Sequence, residues 1–232
     1  MELNLSPRLQ AAAGLIGRSG GVCDVGTDHA YLPVYLALQG REGRLVAADL
    51  REGPLSRARE TARRYGVTQR LEFCLSDGLE NVTGENISWV VIAGMGGETV
   101  RGILQRATWL AGSGVTLVLQ PQSKHEELTA WLGENGWALC DTAMAKDAGR
   151  IYPLFTVKQT GTLAAWDEAE IYASLAQKHE PLLGEYLALR ISMLQDALTG
   201  MQKGGDAMAE RISAAKKSLE ALETIYRETE TW

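Results

Sequence analysis

The sequence predicts an α/β fold: a seven-stranded, mostly parallel sheet flanked by helices, followed by a C-terminal helical hairpin. Three observations predict it. Short apolar runs alternate with helical patterns through the first 160 residues, the run GVCDV passes straight into a glycine turn and then a helix pattern, and beyond Thr160 the strand signals stop. With 45% hydrophobic residues over 232 positions, the chain can bury a core of ordinary size.

The β-rich runs are Gly21–Val25, Arg44–Ala48, Leu71–Leu75, Trp89–Ala93, Val115–Gln120, Ala138–Ala143 and Tyr152–Val157. Helical patterns fall among them at Leu32–Gln39, Pro54–Tyr65, Gly97–Trp109 and Lys124–Asn135. Pro54 suits a first helical turn, and Gly66 and Gly136 suit helix stops. Such alternation implies right-handed βαβ crossovers and a parallel sheet. The last two runs are joined only by Lys146–Ile151, too short for a crossover helix, so they form an antiparallel hairpin. A Rossmann-like sheet ending in such a hairpin is typical of class I methyltransferases rather than of dehydrogenases.

Helical pattern resumes over Trp166–Leu198 and Asp206–Glu228, with Leu175, Leu182, Tyr186 and Leu189 answered by Ile212, Leu219, Leu222 and Ile225. The link MQKGGD supplies a Gly-Gly turn and Asp206 as an N-cap. An antiparallel hairpin of coiled-coil type is the simplest account. The expected domains are therefore 1–160, the sheet, and 161–232, the hairpin.

No stretch approaches the roughly 18 apolar residues of a membrane span, and the amino terminus lacks a basic region followed by an apolar block. The expectation is a cytoplasmic protein without a membrane partner. Cys23, Cys74 and Cys140 are odd in number, far apart and inside strand patterns, so they are expected as small core residues. With only three histidines, no metal site is expected. The net charge is −6, and residues 161–232 carry 12 acidic against 7 basic side chains. Arg51, Arg57, Arg59, Arg63, Arg64 and Arg70 cluster nonetheless, opposed only by Glu52 and Glu60. The cluster is either a solvated helix face or a phosphate-contacting patch.

Chemistry is carried by GVCDVGTDHAYLP, residues 21–33. A dinucleotide site needs G-x-G-x-x-G so that backbone can approach a pyrophosphate, and here Asp28 stands at the second glycine. A carboxylate repels phosphate but accepts hydrogen bonds from an ammonium or a hydroxyl. Asp24, Gly26, Thr27, Asp28 and His29 thus form the first binding loop. Asp49-Leu50 ends the second strand, where an acid is at the height of ribose hydroxyls, and Asp77-Gly78 ends the third, within reach of an adenine amine. Three carboxylates at the ends of consecutive strands fit S-adenosylmethionine. After strand four comes Gly94-Met95-Gly96-Gly97, whose glycines admit a planar group close to backbone. After strand five comes Gln120-Pro121-Gln122, read as amides that meet a base edge or as a polar turn.

The blocks DVGTDHAYLP, GPL, SDGLE, AGMGGETV, LQPQ and AGRIYPL, in this order over residues 5–158, resemble the bacterial family of tRNA adenine-22 N1-methyltransferases. The resemblance implies a Rossmann-like methyltransferase sheet, S-adenosylmethionine as donor, tRNA rather than DNA as partner, and a C-terminal coiled coil. Gln122 departs from the family pattern, which usually has Asn there. GMGG lacks the polar acceptor and stacked ring used to methylate an exocyclic amine. Adenine N1 already carries an in-plane lone pair, so positioning and desolvation suffice. Asp28 then faces the cationic product, Met95 and Gly96 border the transferred methyl, Tyr31 or Met95 receives an extruded base, and Arg57, Arg63 and Arg64 meet phosphates. Two other classes remain open: a methyltransferase for a small molecule or protein, and a non-catalytic cofactor-binding adaptor that recruits a partner through its coiled coil.

Overall fold

The computed structural model describes residues 3–163, 166–202 and 208–232. The chain divides into two compact units, Met1–Ala165 and Trp166–Trp232.

In the first unit, helix α1 (Pro7–Leu15) precedes strand β1 (Gly21–Val25), α2 (Tyr31–Leu38), β2 (Leu45–Asp49), α3 (Glu52–Arg64), β3 (Glu72–Leu75), β4 (Ile87–Met95), α4 (Gly97–Arg106), β5 (Thr116–Pro121), α5 (His125–Glu134), β6 (Trp137–Asp147) and β7 (Arg150–Gln159). The seven strands form one sheet in the order β3-β2-β1-β4-β5-β7-β6. Pairing is parallel from β3 to β5, and β7 runs antiparallel between β5 and β6. All five residues of β1 and of β2 are buried, as expected for central strands covered on both faces. Because β2 and β4 flank β1 on opposite sides, chain order reverses at β1, and a crevice opens at its carboxyl end.

The β6–β7 hairpin tightens to a two-residue turn, Ala148-Gly149, with φ of 47° and 78°. Two positive φ values match the twist of the flanking strands. The register Leu119↔Phe155 carries the turn beyond Pro121, past the carboxyl edge of the parallel strands.

Three expectations need correction. Helix α1 is an additional element: its alanine-rich run offers a weak apolar period, although Ser6 as N-cap and Pro7 in the first turn mark its start. Of the cysteines only Cys23 is a core residue, for Cys74 is half-buried and Cys140 exposed, lying on β3 and β6, the two edges of the sheet. The pattern over Trp166–Leu198 is two helices, α6 (Glu168–Gln177) and α7 (Leu183–Gln202). The break holds His179 at φ 52° and Pro181, which lacks an N–H and disfavours helical backbone at Glu180.

In the second unit α7 packs on α8 (Ala209–Thr229), and α6 also lies against α8. A buried network sets the place of α6 on α7: Glu168 accepts from Tyr172 at 3.0 Å and from Arg190 at 2.8 Å, and the Tyr172 and Tyr186 hydroxyls lie 3.2 Å apart. The turn expected at Gly204-Gly205, with Asp206, lies outside the described residues.

Candidate active site

At the carboxyl end of β1 a cavity of about 390 Å³ is lined by Asp24, Gly26, Thr27, Asp28 and His29. These are five of the predicted binding residues, brought together by one loop. Asp24 is buried and accepts from the Thr27 hydroxyl at 2.7 Å. Burial pushes its carboxyl up to about 6, the Asp49 charge adds to the rise, and the Thr27 hydroxyl and Arg8 guanidinium oppose it. Among the described residues no group of three or more His, Cys, Asp or Glu is placed to hold a metal, and no helix is long and apolar enough to cross a membrane.

Asp49 is buried beside this loop. Its two oxygens accept from the backbone N–H of Asp28 at 3.3 Å and of Arg51 at 3.1 Å. The bond to Asp28 steadies a residue at φ 48°, in the left-handed region. Leu50, next to it, is 61% exposed, an apolar surface available to a ring face. Asp77 and Gly78 follow β3, and the Asp77 carboxylate is taken by Arg106 at 3.0 Å, where Arg106 also binds Glu80.

The glycines after β4 have separate duties. Gly94 lies inside the strand, at a bulge between Ala93 and Met95. Gly97 starts α4, and an added Cβ there would meet the Lys124 and Ser123 carbonyl oxygens at 2.5 and 2.8 Å. Gly96 has an ordinary φ of −69°, and an added Cβ would meet only the Ser123 hydroxyl, at 3.1 Å. Met95 is half-buried, and its methyl lies 2.2 Å from where a Cβ on Gly26 would stand.

Gln120 departs from the base-reading role. Its side chain is fully buried, its carbonyl accepts from Arg8 Nη1 at 3.0 Å, and its amide donates to the Pro121 carbonyl at 3.1 Å. Both ends are thus engaged inside the protein. Pro121 ends β5 and is buried, while the Gln122 side chain is exposed and its N–H donates to the Met95 carbonyl at 2.8 Å. The residues that sequence reasoning missed come from α1 and the segment before it (Asn4, Ser6, Arg8 and Leu9), from α2 and β4 (Leu32 and Ala93) and from the end of β6 (Asp147), all of which also line the cavity. The Ser-Pro start of α1 is the signal that points to the first four.

The arginine cluster is largely self-paired. Arg57 donates to Asp28, Arg59 to Glu52, and Arg70 to the Arg41 carbonyl, and Arg64 lies 4.0 Å from Glu60. Arg57 is therefore paired with the binding loop through a half-exposed ion pair. Arg63 and Arg64 are exposed on α3. His29 and Tyr31 stack at 5.3 Å between ring centroids, with Tyr31 41% exposed.

A sheet of this order with its cavity at the end of β1 defines a class I methyltransferase architecture. The family model described as "Methyltransferase domain" matches residues 5–155, and the chain belongs to that family. It is 29% identical over 187 residues to a tRNA (adenine(22)-N(1))-methyltransferase of Bacillus subtilis, covering 81% of this chain and 76% of that protein. The fold is shared with a protein of the NADB-Rossmann superfamily from Streptococcus agalactiae, at TM-score 0.82 and 25% identity over 97% and 99% of the two chains. It is shared also with M. capricolum TrmK in complex with S-adenosyl-homocysteine, at TM-score 0.77 and 24% identity over 97% and 99%.

Proposed function

We propose that this methyltransferase takes its methyl group from S-adenosylmethionine and transfers it to N1 of an adenine in tRNA, the adenine at position 22. The observation that carries the reading is the pair of buried carboxylates, Asp24 and Asp49, at adjacent strand ends in a chain aligned over 81% of its length with an adenine-22 N1-methyltransferase. The residues fit such a donor. Two neighbouring buried acids suit a cationic ligand with ribose hydroxyls, and Asp28 on the same loop disfavours phosphate. Asp49 would hold the ribose, Asp24 the ammonium, and Leu50 a face of the adenine. The donor supplies an activated methyl group.

Adenine N1 presents a lone pair in the ring plane, so no base on the protein is needed to make it reactive. The chain's task is to hold the target ring in line and to exclude water. Met95 and Gly96 border the place of transfer, and the exposed Tyr31 face, stacked on His29, suits an extruded base. Residues 1–160 act as the donor-binding and catalytic domain and 161–232 as a helical domain. Arg63 and Arg64 are the RNA-facing cations, and the reaction belongs to the cytoplasm.

The test is incubation with methyl-labelled donor and bulk tRNA, then nucleoside analysis. Label in 1-methyladenosine, lost from a transcript with guanosine at position 22, is expected. Label confined to another nucleoside, or absent from tRNA while a small acceptor takes it, overturns the reading.

A further inference from the structure

The two amides that follow β5 have different fates, and only one is committed to the protein. Gln120 is fully buried, its oxygen on Arg8 and its amide on the Pro121 carbonyl. Gln122 has an exposed side chain that makes no hydrogen bond among the described residues. Its backbone, by contrast, is fixed. Pro121 before it is buried at the end of β5, and the Gln122 N–H donates to the Met95 carbonyl at 2.8 Å. Ser123 tightens the same seam: its carbonyl accepts from the Gly97 N–H at 2.9 Å, and its hydroxyl lies 3.1 Å from where a Cβ on Gly96 would stand. The Gln122 Nε2 is itself 3.8 Å from the place of a Cβ on Gly94. A free carboxamide on a fixed stem thus stands beside the bare backbone of the glycine loop. Met95, whose carbonyl holds that stem, turns its methyl to the donor loop at Gly26.

A carboxamide offers an acceptor and two donors in one plane. Adenine presents the complement on its major-groove edge, where the N6 amine donates and N7 accepts, and contact there leaves the N1 lone pair uncovered. Guanine carries two acceptors on that edge, O6 and N7, and leaves the amide oxygen unmatched. We propose that Gln122 reads the N6–N7 edge of the target adenine and so sets the base specificity of the acceptor site. This rests on the function proposed above and deepens it, since a base-edge contact that spares N1 is the kind an N1-methyltransferase can use. Gln120, with both ends engaged inside the protein, has no part in the reading.

The test compares kcat/KM of the full chain on two tRNA transcripts, one with adenosine at position 22 and one with 7-deazaadenosine there, which keeps N1 and the amine but lacks N7. Wild type is expected to methylate the 7-deaza transcript roughly tenfold less efficiently, the scale of a base-edge contact. Gln122→Ala should lose a similar factor on the adenosine transcript and treat the two transcripts alike. Gln122→Glu, of the same shape but without an N–H donor, should also fail to discriminate. Gln122→Asn keeps the carboxamide on a stem shorter by one methylene and should retain part of the difference. Calorimetry with S-adenosylhomocysteine should give wild-type affinity in all three variants, because Gln122 stands outside the residues that line the donor cavity. Equal efficiency of wild type on the two transcripts overturns the proposal, and so does a Gln122→Ala or Gln122→Glu variant that discriminates as wild type does. Should a variant lose its fold, and donor binding with it, the wild-type comparison of the two transcripts decides. Failure of wild type to methylate the adenosine transcript at all overturns the function proposed above, and this reading with it.

Discussion

The guanidinium of Arg57 lies 2.5 Å from the carboxylate of Asp28, joining the helix after β2 to the loop after β1. Two residues read separately, one for RNA and one for catalysis, are thus a pair. The pair is about half exposed, so its own stabilisation is at most about 1 kcal/mol. Arg57→Ala is expected to weaken S-adenosylhomocysteine binding less than about fivefold, through a looser loop, with the salt dependence of tRNA binding unchanged. A full unit of lost salt slope would return Arg57 to the phosphate-contacting set.

Reversal of the exposed Arg63 and Arg64 to glutamate should weaken tRNA binding and lower the slope of log affinity against log salt by about two. A titration series from low to physiological salt measures this. An unchanged slope makes that helix face merely solvated.

Asp49→Ala should lose about 1.5–3 kcal/mol of donor affinity in calorimetry, the scale of charge-assisted hydrogen bonds. Because Asp49 also accepts from two backbone N–H groups, the variant should melt earlier as well. Donor affinity equal to wild type removes Asp49 from the site.

The Asp24 carboxyl, pushed by burial to about 6 against an ordinary 3.8, yields a prediction of sign. Between these values the folded chain binds a proton that the unfolded chain does not. The Asp24 contribution to stability is therefore present below about pH 4 and lost as pH rises through about 6. Binding through a ligand's ammonium group runs the other way: affinity for S-adenosylhomocysteine should rise roughly tenfold from pH 5 to 7.5. Calorimetry across that range, with Asp24→Asn as the flat control, measures it. A wild-type profile as flat as the control's rejects Asp24 as the ammonium's partner.

Gly97→Ala should destabilise the chain by about 1–3 kcal/mol in thermal melts, because the new methyl meets two backbone carbonyls. Gly96→Val should leave donor binding nearly intact and lower methyl transfer if Gly96 borders the place of transfer as proposed, since an added Cβ meets only the Ser123 hydroxyl. Loss of both donor binding and transfer in Gly96→Val would mark a folding defect instead.

The amino-acid sequence by itself determined the alternation of strands and helices, the closing hairpin and the loop that carries Asp24, Gly26, Thr27, Asp28 and His29. Those features follow from periods and turn residues only a few positions apart, and in a parallel sheet such loops fall on one edge whatever their partners. Local pattern also indicated the helical C-terminal region, and Pro181, the residue that divides it, stood in plain view but was outweighed by the apolar period on either side. Only the tertiary structure decided that Gln120 is buried and spent on Arg8, that Asp77 is held by Arg106 and Asp28 by Arg57, and that α1 closes one wall of the cavity. The three pairings join side chains 29 or 112 positions apart, and no periodicity encodes which side chains will meet once the strands are packed into one sheet.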